Sequence, residues 1–478
     1  MFYLYDFAAI VPNSKIVGDK NTPWQHISID SRTIKEGNLF LALVGEQYDG
    51  HHFIKEACAK GACAVVLEKA FFQEHQSLAT ELKQPLLLVD NTLSALQMWA
   101  HYYHSLFKPL TICITGSNGK TTTKEMIVQL LSSKYHVLKS EGNYNNEIGV
   151  PLTILNLDSD HDVLVIEMAA QKLGEIKELT DIARPDIAVI TNIGEAHIGL
   201  FKNKKNIVQA KSELLVALKD KGTAILNRDD SYFDFLLSCL SAHNEVISFG
   251  FHPEAQVRAI NFWQKNEKEL HFELIVEGDH FQVFLPLLGR FNVANALAAI
   301  AVGIKMKVPL KEILENIANF KGTELHMEYM LLDRGITLIQ DFYNANPTAT
   351  REALQSVASI SEGRHKIAVL GDMLELGHDS VYYHKEIGRV VASLSYDILI
   401  AYGEFGVSIA EGAREQGMNE DQVYYFGKEE EDKLVTCLIK LVPENSIILL
   451  KGSRKMQMEN IVQYWKENIT LKGRTNND

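Results

Sequence analysis

The sequence predicts an α/β protein with three domains. The chain has 478 residues, and a domain commonly takes about 150 residues. Apolar strand-like runs alternate with segments of helical periodicity, a pattern typical of parallel sheets covered by helices. The pattern breaks at Lys108-Pro109 and again near Lys321-Gly322. We therefore predict domains at 1–108, 109–321 and 322–478.

The first predicted domain contains short apolar runs between turns. Three of these runs predict strands: LFLALVG (39–45), CAVVLE (63–68) and Leu86–Val89. Two segments have helical apolar spacing: HFIKEACAKGA (52–62) and Ser94–Leu106.

The second and third predicted domains repeat the strand–helix alternation with longer buried strands. The predicted strands of the second are LTICIT (110–115), DVLVIEMA (162–169), DIAVITNIG (186–194) and GTAILN (222–227). Residues 245–286 predict an antiparallel insert of short strands, and NVANALAAIAVGIKM (292–306) predicts a helix. The predicted strands of the third are GITLIQDF (335–342), HKIAVLGD (365–372), DILIAYG (397–403) and NSIILLKG (445–452). We expect a disordered tail at KGRTNND (472–478).

Composition narrows the class of protein. Net charge is −14, from 47 basic and 61 acidic residues, which argues against nucleic acid as a main partner because phosphate backbones select basic surfaces. The five cysteines show no CxxC spacing, as expected in a reducing compartment. No signal peptide is expected from MFYLYDFAAIVPNSK, and no apolar run approaches 18 residues. We expect a cytoplasmic protein without membrane insertion.

Residues 115–124, TGSNGKTTTK, have the character of a phosphate-binding loop with unusual spacing. The common pattern G-x-x-x-x-G-K-[ST] requires glycine at Ile114, whereas the first glycine here is Gly116. The context still favours phosphate binding, because strand LTICIT precedes the loop and TTTKEMIVQLLSSKY (121–135) has helical periodicity. Such a unit directs backbone N–H groups and a helix dipole at one point. The alternative is an ordinary glycine turn with a surface lysine.

The loop predicts a set of nucleotide contacts. Lys120 would provide a cation for the β- and γ-phosphates, and the Thr121 hydroxyl a ligand for Mg²⁺. The predicted nucleotide-binding residues of the loop are Thr115, Gly116, Ser117, Asn118, Gly119, Lys120, Thr121 and Thr122.

The shorter spacing G-x-x-G-K-[ST] resembles the loop of the Mur ligase family and of folylpolyglutamate synthetases, which join a carboxylate to an amine using ATP. Four further segments resemble Mur ligase motifs: SEGNYNNEIGVPLTIL (140–155), ITNIGEAHIGLF (190–201), QAKSELL (209–215) and GRFNVANALAAIAV (289–302). Three are closest to the branch that adds D-Ala-D-Ala: DFYNANPTA (341–349), LGDMLELG (370–377) and LLKGSR (449–454). Residues 27–62 resemble the uridine-nucleotide-binding region of that branch.

The resemblance implies a fold and an activity. The first domain would be a uridine-nucleotide-binding α/β domain, the second a P-loop ATPase-type parallel-sheet domain, and the third a Rossmann-like α/β domain. The activity would be ATP-dependent addition of D-Ala-D-Ala to UDP-N-acetylmuramoyl-tripeptide through an acyl phosphate, a step of peptidoglycan synthesis. We expect a monomer. Whether the tripeptide ends in diaminopimelate or lysine stays open.

The resemblance also implies catalytic and metal-binding residues. The catalytic set is Lys120, Glu167, His197 and Lys211, and the set for two Mg²⁺ ions is Thr121, Glu167, His197 and a carbamate on Lys211. Burial would favour the neutral amine that a carbamate requires. Each residue has a plainer alternative: Glu167 as a solvated carboxylate at a strand end, His197 as a structural hydrogen-bonding group, and Lys211 as a solvated charge on a helix.

Further binding residues follow from the same resemblance. Near the nucleotide it implies Asn292, Asn295 and Asp341. For the two peptide substrates it implies Ser31, Arg32, Asp49, Gly50, Asn145, Asn146, Tyr343, Asn344, Asn346, Lys451 and Arg454. The alternatives are a helix N-cap for Asn292, an Asn-Pro turn for Asn346 and a basic turn for Lys451 and Arg454.

Three residues depart from the family pattern, and two other functions compete. Phe291 stands where histidine is common, Gln340 where an acid is frequent, and His326 where arginine is usual. We expect either that another cation, for example Lys321 or Arg454, takes over the role of that arginine, or that His326 becomes protonated when ATP binds. The competing functions are a related ligase or folylpolyglutamate synthetase adding a single amino acid, and a non-catalytic nucleotide-binding regulator. The YNANP segment argues against the first, and the complete catalytic set against the second.

Overall fold

The computed structural model describes residues 1–45 and 48–466, and the predicted disordered tail lies outside them. The chain divides into two compact units. The first unit comprises Met1–Cys113, Tyr135–Ala169 and Glu175–Asp186, and the second comprises Ile114–Lys134, Ala170–Gly174 and the chain from Ile187 onward. The two predicted boundaries, between 108 and 109 and between 321 and 322, stay predictions. Among the described residues, no helix combines the length and apolar character needed to cross a membrane.

The described residues of the amino-terminal part of the first unit form seven strands and five helices. The strands are β1 (Phe2–Tyr3), β2 (Lys15–Val17), β3 (Pro23–Trp24), β4 (His26–Ser28), β5 (Asn38–Leu41), β6 (Ala64–Glu68) and β7 (Leu86–Val89). The helices are α1 (Leu4–Ile10), α2 (Ile54–Ala59), α3 (Lys69–Glu74), α4 (Leu78–Glu81) and α5 (Thr92–Phe107).

A five-stranded sheet forms the centre of this part, in the order β2-β7-β6-β5-β4. Strands β4 to β7 are parallel, and β2 is antiparallel to β7. Leu39 and Leu41 point into one hydrophobic cluster and Phe40 into another. Both faces of the sheet are therefore covered, which explains why β5 is a continuous apolar run.

The chain from 110 to 186 contains the phosphate loop and contributes strands and helices to both units. Its elements are β8 (Leu110–Thr115), α6 (Lys120–Leu131), β9 (Val137–Lys139), α7 (Gly149–Ile154), β10 (Val163–Glu167) and α8 (Glu175–Ile182). Strands β9 and β10 pair in parallel. The Leu110 amide donates to the Asp162 carbonyl at 3.0 Å, at the beginning of β8.

The second unit continues with a sheet that changes from parallel to antiparallel. Its strands are β11 (Ile187–Ile190), β12 (Thr223–Asn227), β13 (Glu245–Gly250), β14 (Val257–Asn266), β15 (Glu269–Val276) and β16 (Asp279–Leu285). Its helices are α9 (Ile198–Phe201), α10 (Lys204–Val216), α11 (Phe233–Ser238), α12 (Arg290–Lys305) and α13 (Leu310–Ala318). The predicted antiparallel insert over 245–286 was partly wrong. Strand β13 is parallel to both β12 and β14, and only β14, β15 and β16 pair antiparallel.

A six-stranded sheet ends the second unit. Its strands are β17 (Glu328–Leu331), β18 (Thr337–Asp341), β19 (His365–Gly371), β20 (Ile398–Tyr402), β21 (Val423–Phe426) and β22 (Ser446–Lys451). Its helices are α14 (Pro347–Ser359), α15 (Ser380–Ser393), α16 (Gly406–Glu415) and α17 (Glu431–Leu441). The order is β17-β18-β22-β19-β20-β21, with β17 alone antiparallel. This agrees with the predicted α/β fold class.

Candidate active site

The phosphate loop joins β8 to α6, and its two glycines are required by close neighbours. Gly116 has φ 154° and Gly119 has φ 76°. A Cβ on Gly116 would lie 1.9 Å from Thr191 Oγ1, and one on Gly119 would lie 2.1 Å from Asn295 Oδ1. Glycine is therefore needed at both positions of the loop.

Two backbone amides of the loop are already bonded inside the protein. The Ser117 amide donates to the Asn192 carbonyl at 2.9 Å, and the Asn118 amide to Asn192 Oδ1 at 3.0 Å. These two N–H groups are therefore not directed at a ligand. A phosphate would meet the loop at Gly119 and the first turn of α6.

The Asn118 side chain lies in the centre of the loop's contacts. Its Oδ1 accepts from Asn346 Nδ2 at 2.7 Å, and the backbone carbonyl of Asn118 accepts from Thr191 Oγ1 at 2.6 Å. Asn118 Nδ2 is buried and has no hydrogen-bond partner among the residues that the structure describes. Because a buried donor is normally satisfied, this atom points to a ligand that accepts a hydrogen bond.

Lys211 is buried on α10, with only 3 % of its surface exposed. Burial, and secondarily the charge of Lys120, lower the pKa of Lys211 to about 7. The alternative of a solvated surface charge is therefore wrong. Near neutral pH a substantial fraction of the amine is uncharged, which is the form that can react with CO₂.

His197 is the N-cap of the short helix α9 and has a left-handed conformation, with φ 58°. Its Nδ1 forms an ion pair with Glu375, from the segment that follows β19. This hydrogen bond with the His197 ring lowers the pKa of Glu375. A hydrogen-bonding role is thus present, and within the part of the chain that the structure describes it engages Nδ1 of the ring.

The loop around His197 bonds to both the phosphate loop and α14. The Gly194 amide donates to Ser117 Oγ at 2.8 Å. The Glu195 carboxylate accepts a hydrogen bond from the Thr348 hydroxyl. Asn346 caps α14 by accepting from the Ala349 amide at 3.0 Å, while its Nδ2 bonds Asn118. Asn346 is therefore an extended helix N-cap followed by Pro347 rather than the Asn-Pro turn of the alternative, and the same side chain also reaches the phosphate loop.

A cavity of about 680 Å³ lies beside the loop. Its lining includes Gly119, Asn295, Phe251, Arg290 and Phe291. The Arg290 guanidinium stacks on the Phe251 ring, 4.1 Å from its centroid, which gives the cavity a flat cationic and aromatic wall.

The two predicted asparagines of α12 have different positions. Asn295 lines the cavity, and its Nδ2 donates to Asn292 Oδ1 at 3.1 Å. Asn292 Nδ2 in turn donates to the Leu288 carbonyl at 2.9 Å. The N-cap alternative for Asn292 was wrong, because α12 begins at Arg290 with Gly289 as its cap. Asn292 orients Asn295.

Glu352 places a carboxyl group in the wall of the same cavity. Burial raises its pKa to about 7, although the positive charges of Lys451, Arg351 and Arg290 act in the opposite direction. Desolvation therefore outweighs the attraction of the three cations.

Glu352→Gln is expected to stabilise the protein in alkaline but not in acidic solution. The pKa of Glu352 is about 7 in the folded protein, above its ordinary value of 4.5. The free energy of unfolding therefore falls as pH rises between those two values. The glutamine variant lacks this loss. We expect its Tm to exceed that of the wild type by about 2–4 °C at about pH 8 and to match it at about pH 5. Tm is measured without nucleotide, and exposed Glu362→Gln is the control. An equal difference in Tm at both pH values would contradict the prediction.

Residues predicted for the third domain divide into buried and exposed groups. Lys451 is buried, and its Nζ donates to Asp341 Oδ2 at 2.6 Å and to the Asn344 carbonyl at 3.0 Å. The basic-turn alternative is therefore wrong for Lys451. Arg454 is exposed and pairs with Glu459. The Tyr343 ring packs on His326 with centroids 4.5 Å apart.

Glu167 ends β10 in the first unit and is only 2 % exposed, so the alternative of a solvated carboxylate is wrong. Asn145 Nδ2 donates to Glu167 Oε1 at 2.9 Å, and the Glu167 amide donates to Ser140 Oγ at 2.9 Å. Asn146 Oδ1 accepts from the Gly149 amide at 2.9 Å and so supports the start of α7.

The residues predicted for the uridine nucleotide follow β4 and β5. Arg32 is exposed and forms a salt bridge of 2.7 Å with Asp30, next to buried Ser31. Asp49 Oδ1 lies 2.6 Å from His51 Nδ1. A Cβ on Gly50 would lie 2.7 Å from the Leu43 carbonyl oxygen, so glycine is required there.

Several residues of this site were missed from the sequence. They are Thr191, Asn192, Glu195, Arg290, Thr348, Glu352 and Glu375. The segment ITNIGEAH contains three of them, and its run of polar residues after a buried strand was a usable signal. In the described ranges, no group of three or more His, Cys, Asp and Glu side chains is arranged to hold a metal. The predicted metal set also uses a hydroxyl and a modified lysine, which such a group does not include.

Comparison with known proteins identifies the family. Three family models match, one within each predicted domain: the Mur ligase family, catalytic domain over 23–104, the Mur ligase middle domain over 114–303, and the Mur ligase, glutamate ligase domain over 327–454. The UDP-N-acetylmuramoyl-tripeptide--D-alanyl-D-alanine ligase of Bacillus subtilis is 36% identical over 91% of this chain and 92% of its own. The chain belongs to the Mur ligase family. The resemblance predicted from the loop and motifs is confirmed.

Solved structures of Mur ligases have the same fold. A crystal structure of MurF from Acinetobacter baumannii matches with a TM-score of 0.83 and 30% identity, covering 92% of this chain and 93% of that one. The MurF ligase of Thermotoga maritima in complex with ADP matches with a TM-score of 0.81 and 26% identity, covering 94% and 99%. The predicted three-domain architecture of this Mur ligase is thereby confirmed.

Proposed function

We propose that the chain is an ATP-dependent ligase that joins D-Ala-D-Ala to UDP-N-acetylmuramoyl-tripeptide. The products would be UDP-N-acetylmuramoyl-pentapeptide, ADP and phosphate. One observation carries the proposal: Asn346 of the YNANP segment bonds Asn118 of the phosphate loop at 2.7 Å. The nucleotide loop and the segment typical of the D-Ala-D-Ala-adding branch thus belong to one site. The Bacillus subtilis relative is named for this activity.

The nucleotide would bind across the phosphate loop and the adjoining cavity. Its phosphates would lie at Gly119 and the first turn of α6, within reach of Lys120. Its base would enter the cavity beside Asn295, against the wall formed by Arg290 and Phe251. The buried Asn118 Nδ2 supports this placement, because a phosphate or ribose oxygen would accept its hydrogen bond.

The residues proposed for Mg²⁺ suit a hard cation. Thr121, Glu167 and a carbamate on Lys211 provide oxygen, and His197 provides a ring nitrogen. When bound, Mg²⁺ would offset the negative charge of the phosphates during transfer. The environment of Lys211 fits a carbamate, since its amine is buried with a pKa of about 7. In forming it, the amine nitrogen bonds the carbon of CO₂ and releases a proton.

The reaction would proceed in two displacements. A terminal carboxylate oxygen of the tripeptide attacks the γ-phosphorus, and the bond to the ADP oxygen breaks. The amine of D-Ala-D-Ala then attacks the acyl carbon, loses a proton and expels phosphate. Lys120 would stabilise the charge that accumulates on the transferring group. Water must be kept away, because it competes for the acyl phosphate.

The peptide substrates would bind at the remaining predicted residues. The uridine nucleotide and tripeptide would use Ser31, Arg32, Asp49, Gly50, Asn145 and Asn146. The incoming dipeptide would use Tyr343, Asn344 and Arg454. Because Lys451 is buried against Asp341, we assign this pair to holding the YNANP segment rather than to direct contact. We propose that the protein performs this function as a monomer in the cytoplasm.

A comparison of amine substrates tests the proposal. Purified protein, ATP, Mg²⁺ and UDP-muramoyl-tripeptide are incubated with D-Ala-D-Ala, and the product is identified by mass. The tripeptides ending in diaminopimelate and in lysine are both tried. We expect peptide formation and phosphate release with the dipeptide only. Reaction with L-lysine or diaminopimelate as the amine would favour a related ligase, and nucleotide binding without turnover of any amine would favour the regulator.

A further inference from the structure

The segment LGDMLELG has no role in the steps above, yet Glu375 within it contacts His197. We propose that Glu375 is a positioning residue: its carboxylate fixes the tautomer and orientation of the His197 ring and ties that ring to the carboxyl-terminal sheet. The inference rests on the proposed function, because it assigns His197 a role in that reaction.

The ion pair determines which ring nitrogen carries the proton. Nδ1 of His197 faces the Glu375 carboxylate, and an ionised carboxylate can only accept a hydrogen bond. Nδ1 must therefore be protonated, so in the neutral ring Nε2 carries the lone pair. A carboxylate behind a histidine is a common means of orienting a ligand ring.

Backbone contacts hold the two turns together independently of the ion pair. The Gly199 amide donates to the Glu375 carbonyl at 2.9 Å. A Cβ on Gly199 would lie 2.4 Å from the Gly377 amide nitrogen. His197 at φ 58° and Glu375 at φ 65° are both left-handed although neither is glycine. Such conformations persist where the surroundings determine them, and each turn does this for the other.

The segment that presents Glu375 is itself firmly supported. The Asp372 carboxylate accepts from the amides of Glu404 at 2.8 Å and Phe405 at 2.9 Å. The Leu374 amide donates to Ser453 Oγ at 2.9 Å. The position of Glu375 is therefore set by strand ends of the carboxyl-terminal sheet. It follows that His197 is oriented only while this sheet contacts the histidine loop, so phosphate chemistry is coupled to the part proposed to hold the dipeptide.

The test combines kinetics with the tautomer of His197. Glu375→Ala should lower kcat about 10–100-fold and leave the KM for UDP-muramoyl-tripeptide unchanged. Glu375→Gln should retain most of the activity, because the amide oxygen can still accept from Nδ1. Exposed Glu362→Gln is the control. ¹⁵N-histidine spectra are recorded without nucleotide or metal at about pH 8, where an ordinary histidine is neutral. His197→Gln assigns the signal.

We expect the Nδ1–H tautomer of His197 in the wild type and in Glu375→Gln, and its loss in Glu375→Ala. Gly199→Ala should also lose it with Glu375 intact, because the added Cβ separates the turns. An unchanged tautomer in Glu375→Ala, or an unchanged kcat, would overturn the inference. If Glu375→Ala fails to fold, Glu375→Gln and Gly199→Ala decide it. If the wild type forms no peptide, the proposed function fails, while the spectra still decide the contact.

Discussion

Lys120→Ala is expected to lower kcat about 100–1,000-fold while leaving the fold intact. Lys120 stands at the first position of α6, next to the glycine that closes the phosphate loop. Its charge is needed most when the phosphoryl group is transferred and negative charge accumulates on its oxygens. The rate of phosphate release at saturating substrate concentrations gives kcat.

The control for this variant is Lys205→Ala, which removes an exposed lysine from α10. It should react at the wild-type rate, and both variants should melt at the wild-type temperature. Because Lys120 also lowers the pKa of Lys211, its removal should raise that pKa. A near-normal kcat in Lys120→Ala would contradict a catalytic role for the phosphate loop.

Lys211→Ala is expected to lower activity on the order of 100-fold or more, because it removes the buried lysine that we propose to carry a ligand for Mg²⁺. A small carboxylate such as acetate should restore part of the rate, since it returns oxygen to the vacated position. Lys211→Arg should also be inactive, because the guanidinium stays protonated and cannot form a carbamate. Activity in Lys211→Arg would contradict the assignment.

The proposed carbamate on Lys211 can be tested for without turnover. Protein equilibrated with ¹³C-labelled CO₂ should show a carbamate carbonyl signal that is absent from Lys211→Ala and present in Lys205→Ala. The reaction needs the neutral amine, and the pKa of Lys211 is about 7. Labelling should therefore increase as pH rises through about 7. A signal that persists in Lys211→Ala would place the modification elsewhere.

Strands covered on both faces were predictable from the sequence, because they appear as continuous apolar runs. Strand β22 shows why: Ile448 contributes to one hydrophobic cluster and Leu449 to the other. Edge strands lack this signal. Strands β17 and β21 were missed because their residues are mostly half-buried or exposed. Strand β13 was assigned the wrong direction, since apolar pattern carries no information on parallel or antiparallel pairing.

The phosphate loop and its lysine were predictable because they are contiguous in the sequence. Contacts between distant segments were not. The burial that lowers the pKa of Lys211 depends on the residues that pack around α10. Helical periodicity in the sequence does not identify those residues. Glu375 meets His197 across 178 positions of the chain. The motif containing Glu375 could be quoted from the sequence, but its partner could be found only from the fold.

Transfer of ¹⁸O from the tripeptide to phosphate tests whether the reaction proceeds through an acyl phosphate. UDP-muramoyl-tripeptide labelled with ¹⁸O in both oxygens of the reacting carboxylate is converted with ATP and D-Ala-D-Ala, and the released phosphate is examined by mass. If the carboxylate attacks the γ-phosphorus and phosphate later leaves from the acyl carbon, each phosphate carries one ¹⁸O and the new amide carries the other. Unlabelled phosphate, formed at the same rate as the peptide, would contradict the acyl-phosphate route.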